Sequence, residues 1–321
     1  MNKGIMKDCL ICSTTAWSKK FFINDIFDER YNFGYCTFCR VYSLNPFPDS
    51  RQLAQAYDES YYGFGDKKFN SSVEKVLNWF RLRNAKQFAK RLPNKATILD
   101  IGCGNGGFLE SLGKYGEFKL HGIEPPGKSG DRAASIESLD LHRGFVKSTT
   151  YPNNYFDAIV LTHVFEHLPN PMEVLEVITN MSKIKGVLQI EIPNIDSLQY
   201  RLFKSKWLHL DPPRHLNMFP PKVLIKNLQN LGWEVESQRF FSPQFSPFGA
   251  QQSLLNIAVS KRELLYEHLK GNITYCYSST RASLFLQKLF HWFSFPFFVC
   301  TDAIASIFNK GATVKLRFRK V

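Results

Sequence analysis

The stretch 97–112, TILDIGCGNGGFLESL, constrains this chain more than any other. β-Branched and aliphatic residues give way to a turn holding Gly102, Gly104, Gly106 and Gly107, then to helically spaced Phe108, Leu109 and Leu112. A buried strand that feeds a helix through such a turn leaves a nucleotide-sized crevice at its carboxyl edge, because glycines let a ligand approach the backbone. Gly102, Gly104 and Gly107 also fit the spacing of a dinucleotide fingerprint, so the side chain before the turn has to discriminate. Asp100 would repel a docking pyrophosphate but suits a ligand whose near end is an ammonium, as in the methionine moiety of S-adenosylmethionine. On the loop alone, a dinucleotide and an empty structural turn both stay open.

Two further signals lie outside this stretch. Cys9 and Cys12 form one CxxC pair, and Cys36 and Cys39 form a second. Four thiolates in two such knuckles close a tetrahedral zinc site with no position left for substrate water, so the expectation is structural zinc. Tyr31, Phe33, Tyr35, Phe38 and Gly34 fit a small β-ribbon around it. The net charge of +13 suggests an anionic partner: nucleic acid, a phosphorylated substrate or an acidic membrane face. No charged segment followed by an apolar stretch and a cleavage site opens the sequence, so the expected compartment is the cytoplasm. Thiols there hold metal more readily than they pair as disulfides.

Beyond the turn at Asn45-Pro46-Phe47-Pro48, residues 53–62 read as a short helix ending in Tyr57, Tyr61 and Tyr62, which either cover a ligand or simply pack. Residues 72–91 read as an amphipathic helix with a basic outer face. Lys119–Glu124 reads as a strand whose terminal acid could accept both ribose hydroxyls of an adenosine ligand; the plainer reading is a surface acid. Phe156–Thr162 and Gly186–Ile192 are further strands, with a helix expected over residues 169–184. Strands alternating with helices specify a parallel, doubly wound sheet.

On ILDIGCGNGGF, GIEP, FDAIVLTHVFEHLPNP and GVLQIEIPN, residues 96–240 resemble a class I S-adenosylmethionine-dependent methyltransferase. The resemblance implies a Rossmann-like seven-stranded sheet. It also implies cofactor contacts from Asp100, Gly102, Cys103, Gly104, Gly106, Glu124, Thr162 and His163. Residues 211–219, DPPRHLNMF, preceded by Trp207 and taken with the CxxC pairs, resemble a bacterial subfamily found among enzymes that decorate sugars and cell-surface polysaccharides. Some zinc-bearing relatives methylate carbon of nucleotide-linked keto-sugars, but they carry a longer carboxyl-terminal substrate domain. O-methylation of a glycan or sugar nucleotide is therefore the first expectation and C-methylation the alternative. The implied organisation is a zinc module at 1–48, a helical lead-in at 49–95, the core at 96–242, a helical insertion at 243–311 and a last core strand at 312–321.

A sugar hydroxyl must lose its proton during methyl transfer, and histidine is the commonest base near neutral pH. His163 and His167 flank Glu166 after the Phe156–Thr162 strand, and His215 lies on the loop after the next one. His167 or His215 is the expected base, with Glu166 orienting a histidine. Each could equally be a structural hydrogen-bond donor.

Residues 312–320 alternate and, by the resemblance, form an antiparallel last strand. Residues 283–308 are aromatic-rich but interrupted by Gln287, Lys288, His291, Pro296 and Asp302. The expectation is an amphipathic pair at an anionic membrane interface, with a lid or a dimer surface as alternatives. A lipid-linked acceptor would suit such a position. RNA is a competing substrate, since zinc ribbons and positive charge occur in such enzymes. Against it, Asn194 does not open an NPPY-type motif and no Pro-Cys dipeptide is present. A non-catalytic binding module is the third reading.

Overall fold

The computed structural model describes residues 8–57, 71–277 and 279–321. At its centre lies β4 (Thr97–Ile101), five consecutive buried residues, as expected of a strand covered on both faces. It pairs in parallel with β5 (Lys119–Glu124) on one side and β7 (Phe156–Thr162) on the other. The sheet continues through β6 (Leu139–Arg143) beyond β5, and through β8 (Ser182–Pro193), β11 (Thr313–Lys320) and β10 (Trp233–Arg239) beyond β7. β11 runs antiparallel between β8 and β10. This is the expected seven-stranded doubly wound sheet. The chain's winding reverses between β4 and β7, which opens a crevice at the carboxyl ends of these strands.

Helices cover both faces. Phe88 and Ala85 from the helix Ser71–Ala89 pack with Leu109 and Leu112 on one face. Leu175 and Ile178 from the helix Pro171–Met181 pack with Leu224, Leu228 and Trp233 on the other. That helix ends three residues earlier than the sequence suggested, because Ser182–Lys185 are drawn into β8 through a bulge with Lys185 at φ +61°. The first helix is Ser50–Ala56, closed by a capping box between Asp49 and Gln52; the expected contacts of Tyr61 and Tyr62 lie outside the described residues.

The cysteine-bearing segment builds an antiparallel sheet of β1 (Trp17–Asn24), β2 (Arg30–Cys36) and β3 (Tyr42–Leu44). Its fourth strand, β9 (Asn217–Met218), comes from the distant DPPRHLNMF segment. Phe33 and Leu44 of this sheet bury against Trp207, Leu210 and Leu216.

Between β10 and β11 the regular structure among the described residues is helical: Ser246–Ala258, Leu264–Leu269, Ile273–Cys276 and Arg281–Ile307. The expectation of two helices over residues 283–308 is corrected here. Pro296 sits inside one continuous 27-residue helix. Proline removes one backbone donor and crowds the preceding turn. The helix Ser246–Ala258 packs along both halves: Gln251 donates to the His291 carbonyl at 2.9 Å and to Ser294 Oγ at 2.7 Å before Pro296, and Ser246 hydrogen-bonds the Asp302 carboxylate after it.

Candidate functional site

The glycine turn after β4 has left-handed backbone at Gly102 (φ +70°), Gly104 (φ +58°) and Gly106 (φ +74°). At Gly102 a Cβ would sit 2.4 Å from Val164 Cγ2, so both conformation and space demand glycine. At Gly104 a Cβ would meet nothing within 4 Å: this part of the loop borders open space at the crevice. The Gly102 and Cys103 amides both donate to the Ile123 carbonyl, at 2.7 and 3.1 Å, which locks the loop to β5. Glu124 Oε2 accepts from the Gly104 amide at 2.9 Å, placing the acid that ends β5 on the rim of the loop. Asp100 lies beneath, 5% exposed, and burial, then the nearby Glu124 charge, pushes its pKa up to about 8. A cationic ligand group would relieve both effects, so these residues fit an ammonium-bearing nucleoside. Cys103 is buried beneath the loop, its sulfur where a Cβ on Gly122 would come within 2.8 Å, and Thr162 is exposed at the end of β7.

His163, immediately beyond β7, has φ +54°, unusual for a residue with a side chain, and its amide donates to the Glu191 carbonyl at 2.8 Å. From there the chain makes a 3-10 turn, Phe165–His167, whose Glu166 and His167 meet His215 from the distant loop while Phe165 turns into the core. Glu166 is 2% exposed; its Oε1 lies 3.2 Å from His163 Nδ1 and 3.9 Å from His215 Nε2. The His167 and His215 rings stand edge to face, 4.7 Å between centroids. Burial alone would push the Glu166 carboxyl up, but His163, by hydrogen bond and charge, outweighs it and holds the pKa at about 2. Burial pushes His167 down to about 4, so this imidazole is neutral near pH 7. Burial would also lower His163, yet Glu166 raises it above the ordinary value.

His215 reaches this point because Asp211 and Arg214 clamp its loop. Arg214 Nε donates to Asp211 Oδ2 at 2.8 Å, a second guanidinium nitrogen meets Oδ1, and a third donates to the Ala56 carbonyl at 3.0 Å. The two ring anchors are His167 Nδ1, 3.0 Å from both the Arg214 carbonyl and the Tyr57 hydroxyl, and His215 Nδ1, 2.8 Å from the His209 carbonyl. Arg214, Asp211 and His209 escaped a search for bases, although the DPPRHLNMF segment that carries the first two was itself the signal.

The second cluster is the set of cysteines. Cys9 and Cys39 sulfurs lie 3.6 Å apart, as do those of Cys12 and Cys36, and all four fall within 4.8 Å of one another. The two knuckles share one geometry: Ser13 (φ +56°) donates to the Cys9 carbonyl and Arg40 (φ +63°) to the Cys36 carbonyl, at 2.7 and 2.9 Å. A Zn–S bond of about 2.3 Å sets tetrahedral thiolates roughly 3.8 Å apart, so the arrangement is compatible with zinc. A hydrogen bond from Cys39 lowers the Cys9 thiol to about 5, while Cys39 moves up, the expected behaviour of two sulfurs sharing one proton.

Residues 75–238 match the methyltransferase domain family, just over half of the 321 residues, and the chain belongs to it. The domain is that of a class I S-adenosylmethionine-dependent methyltransferase. Among curated relatives, a tRNA U34 carboxymethyltransferase from Helicobacter pylori is 28% identical over 145 residues, covering 40% of this chain and 51% of that protein. A ubiquinone biosynthesis O-methyltransferase from Shewanella sp. (strain ANA-3) is 29% identical over 118 residues, covering 35% and 49%. The chain thus spans about half the length of these relatives. The solved [4+2]-cyclase SpnF shares the fold, with a TM-score of 0.52 at 16% identity over 85% of this chain and 97% of that one.

Proposed function

We propose that this protein transfers a methyl group from S-adenosylmethionine to a hydroxyl oxygen of a sugar or cell-surface glycan. The observation that carries the reading is the cluster of three histidines and Glu166 at the carboxyl end of β7, where an acceptor would enter beside the glycine loop. S-adenosylmethionine, when bound, supplies an electrophilic methyl on a sulfonium with a good leaving group. Asp100 would hold its ammonium and Glu124 its ribose, with the Gly104 edge of the loop left free of side-chain bulk. Alignment then supplies much of the rate. The remaining task is removal of the hydroxyl proton, which a neutral imidazole kept in place by Glu166 or a backbone carbonyl can perform. Oxygen as acceptor agrees with the name of the ubiquinone relative, and the sugar class rests on the DPPRHLNMF and CxxC resemblance. The four cysteines would hold a structural zinc ion.

RNA is the second reading, favoured by the tRNA-modifying relative and the net charge of +13. Incubation with labelled cofactor against nucleotide sugars, lipid-linked oligosaccharides and RNA separates the two. Label in a sugar oxygen is the expected result. Label in RNA alone, or in none of the three, sinks the glycan assignment.

The acceptor is further proposed to be reached at an anionic membrane. The helix Arg281–Ile307 is long and apolar enough to cross a bilayer. Its inner face, however, carries buried Gln287 and Asp302 and the His291 contacts to the helix Ser246–Ala258, which lipid would not satisfy. Its outer face exposes Leu289, Trp292, Phe293, Phe297, Ile304 and Ile307, with Trp292 75% and Phe293 83% exposed. One polar and one apolar face suit a helix lying in the interface rather than across it. Flotation with anionic vesicles should carry the protein upward, and Trp292→Ser with Phe293→Ser should leave it at the bottom. A wild-type chain that stays soluble and dimerises instead would assign this face to a second copy.

A further inference from the structure

Glu166, His167 and His215 do more than a proton-transfer role requires. Their ligand atoms lie within 4.8 Å of one another. Glu166 is 2% exposed, and its second oxygen, Oε2, is buried without a hydrogen-bond partner among the described residues. A buried carboxylate oxygen left bare costs as much as a lost hydrogen bond or more, so something is expected to meet it. Both imidazoles are anchored through Nδ1, His167 on the Arg214 carbonyl and His215 on the His209 carbonyl. A carbonyl can only accept, so each ring carries a proton on Nδ1, which leaves Nε2 as the nitrogen able to coordinate. This is how proteins fix metal-binding histidines from behind.

We propose that Glu166, His167 and His215 form a binding site for a divalent transition-metal ion, separate from the cysteine cluster. Two imidazoles and one carboxylate are a donor set that such ions favour over magnesium or calcium, and three protein ligands leave positions open for substrate. Bonds of about 2.1 Å bring ligand atoms to roughly 3–3.5 Å from one another, so the side chains close by about 1 Å on binding. The inference rests on the reading of this crevice as the acceptor site and deepens it. The open positions fit two neighbouring hydroxyls of a sugar, and the ion lowers the pKa of the hydroxyl it holds. The released proton leaves to solvent as the methyl group bonds to the oxygen, and His163, 3.2 Å from Glu166, is not one of the three ligands.

Anaerobic titration of the metal-free full chain with Co²⁺ reads the two sites apart. The cysteine site gives thiolate-to-cobalt charge transfer in the near ultraviolet, whereas the Glu166 site gives visible bands without it. Two equivalents are expected for the wild type, and one, with the thiolate signature, for Glu166→Gln and for His215→Ala. Elemental analysis of the zinc-loaded chain should likewise give two ions per chain. One equivalent in the wild type overturns the proposal, whatever the variants do, and so does a second equivalent that survives both substitutions. Label transfer to sugar by a chain that binds a single ion would sink the metal site and leave the methyl-transfer reading intact. Two ions without transfer to any hydroxyl acceptor would do the reverse.

Discussion

Ser43 and Asn217, 174 positions apart, share a buried hydrogen bond of 2.7 Å. Ser43 belongs to the cysteine-bearing sheet, and Asn217 follows His215 by two residues on the strand that completes that sheet. The cysteine cluster therefore does not hang off the core. Its sheet is the floor on which the His215 loop is built.

Disruption of the cysteine cluster should be felt at the histidines. Cys36→Ser should lower turnover between roughly tenfold and a hundredfold, the range expected when a reacting group is displaced by about 1 Å, while cofactor affinity stays within about threefold. Steady-state kinetics beside calorimetric cofactor binding check this. Equal losses in both would mean that the ribbon supports the whole fold and not the His215 loop in particular.

Cofactor binding should expel a proton. Ligand-free Asp100 has its pKa raised to about 8, so it is protonated at pH 7, and a neighbouring ammonium favours the anion. Affinity should be full above about pH 8 and fall as pH drops through that value, by up to about tenfold per unit. The same shift makes the ligand-free fold lose stability as pH rises from about 4 to about 8, since the folded pKa lies above the unfolded one. Titrations at pH 7 in two buffers of different ionisation enthalpy read the proton directly; a buffer-independent heat contradicts the assignment.

Glu124→Ala removes an acceptor from the Gly104 amide as well as the expected ribose contact. A hydrogen bond to a charged group contributes about 1.5–3 kcal/mol, so S-adenosylmethionine affinity should fall roughly ten- to a hundredfold. A variant that binds within twofold of wild type would place the ribose elsewhere.

In the helical insertion, Lys270 Nζ meets Glu267 Oε1 at 2.9 Å, with the two side chains 1% and 0% exposed, and Asn272 Nδ2 donates to Glu267 Oε2 at 2.8 Å. Glu267→Ala leaves a buried ammonium without this carboxylate and should destabilise the protein by about 3–5 kcal/mol. Chemical denaturation measures it. A cost below about 1 kcal/mol would show that water reaches Lys270 freely.

The sequence alone determined what is local. Apolar run, glycine turn and helix follow one another within sixteen residues, so strand, loop and the acid before it were legible, as were the cysteine knuckles, whose turns close over four residues. The doubly wound sheet followed from the alternation of such units, and its seven strands from the family resemblance. Where residues are far apart in the chain, tertiary structure decided. That Asn217 pairs beneath Ser43, that Tyr57 and Arg214 hold His167, and that Glu166 faces His215 with one oxygen bare all depend on loop closures no spacing encodes. The same holds for the helix through Pro296: local chemistry argues for a break, and packing along a second helix overrides it.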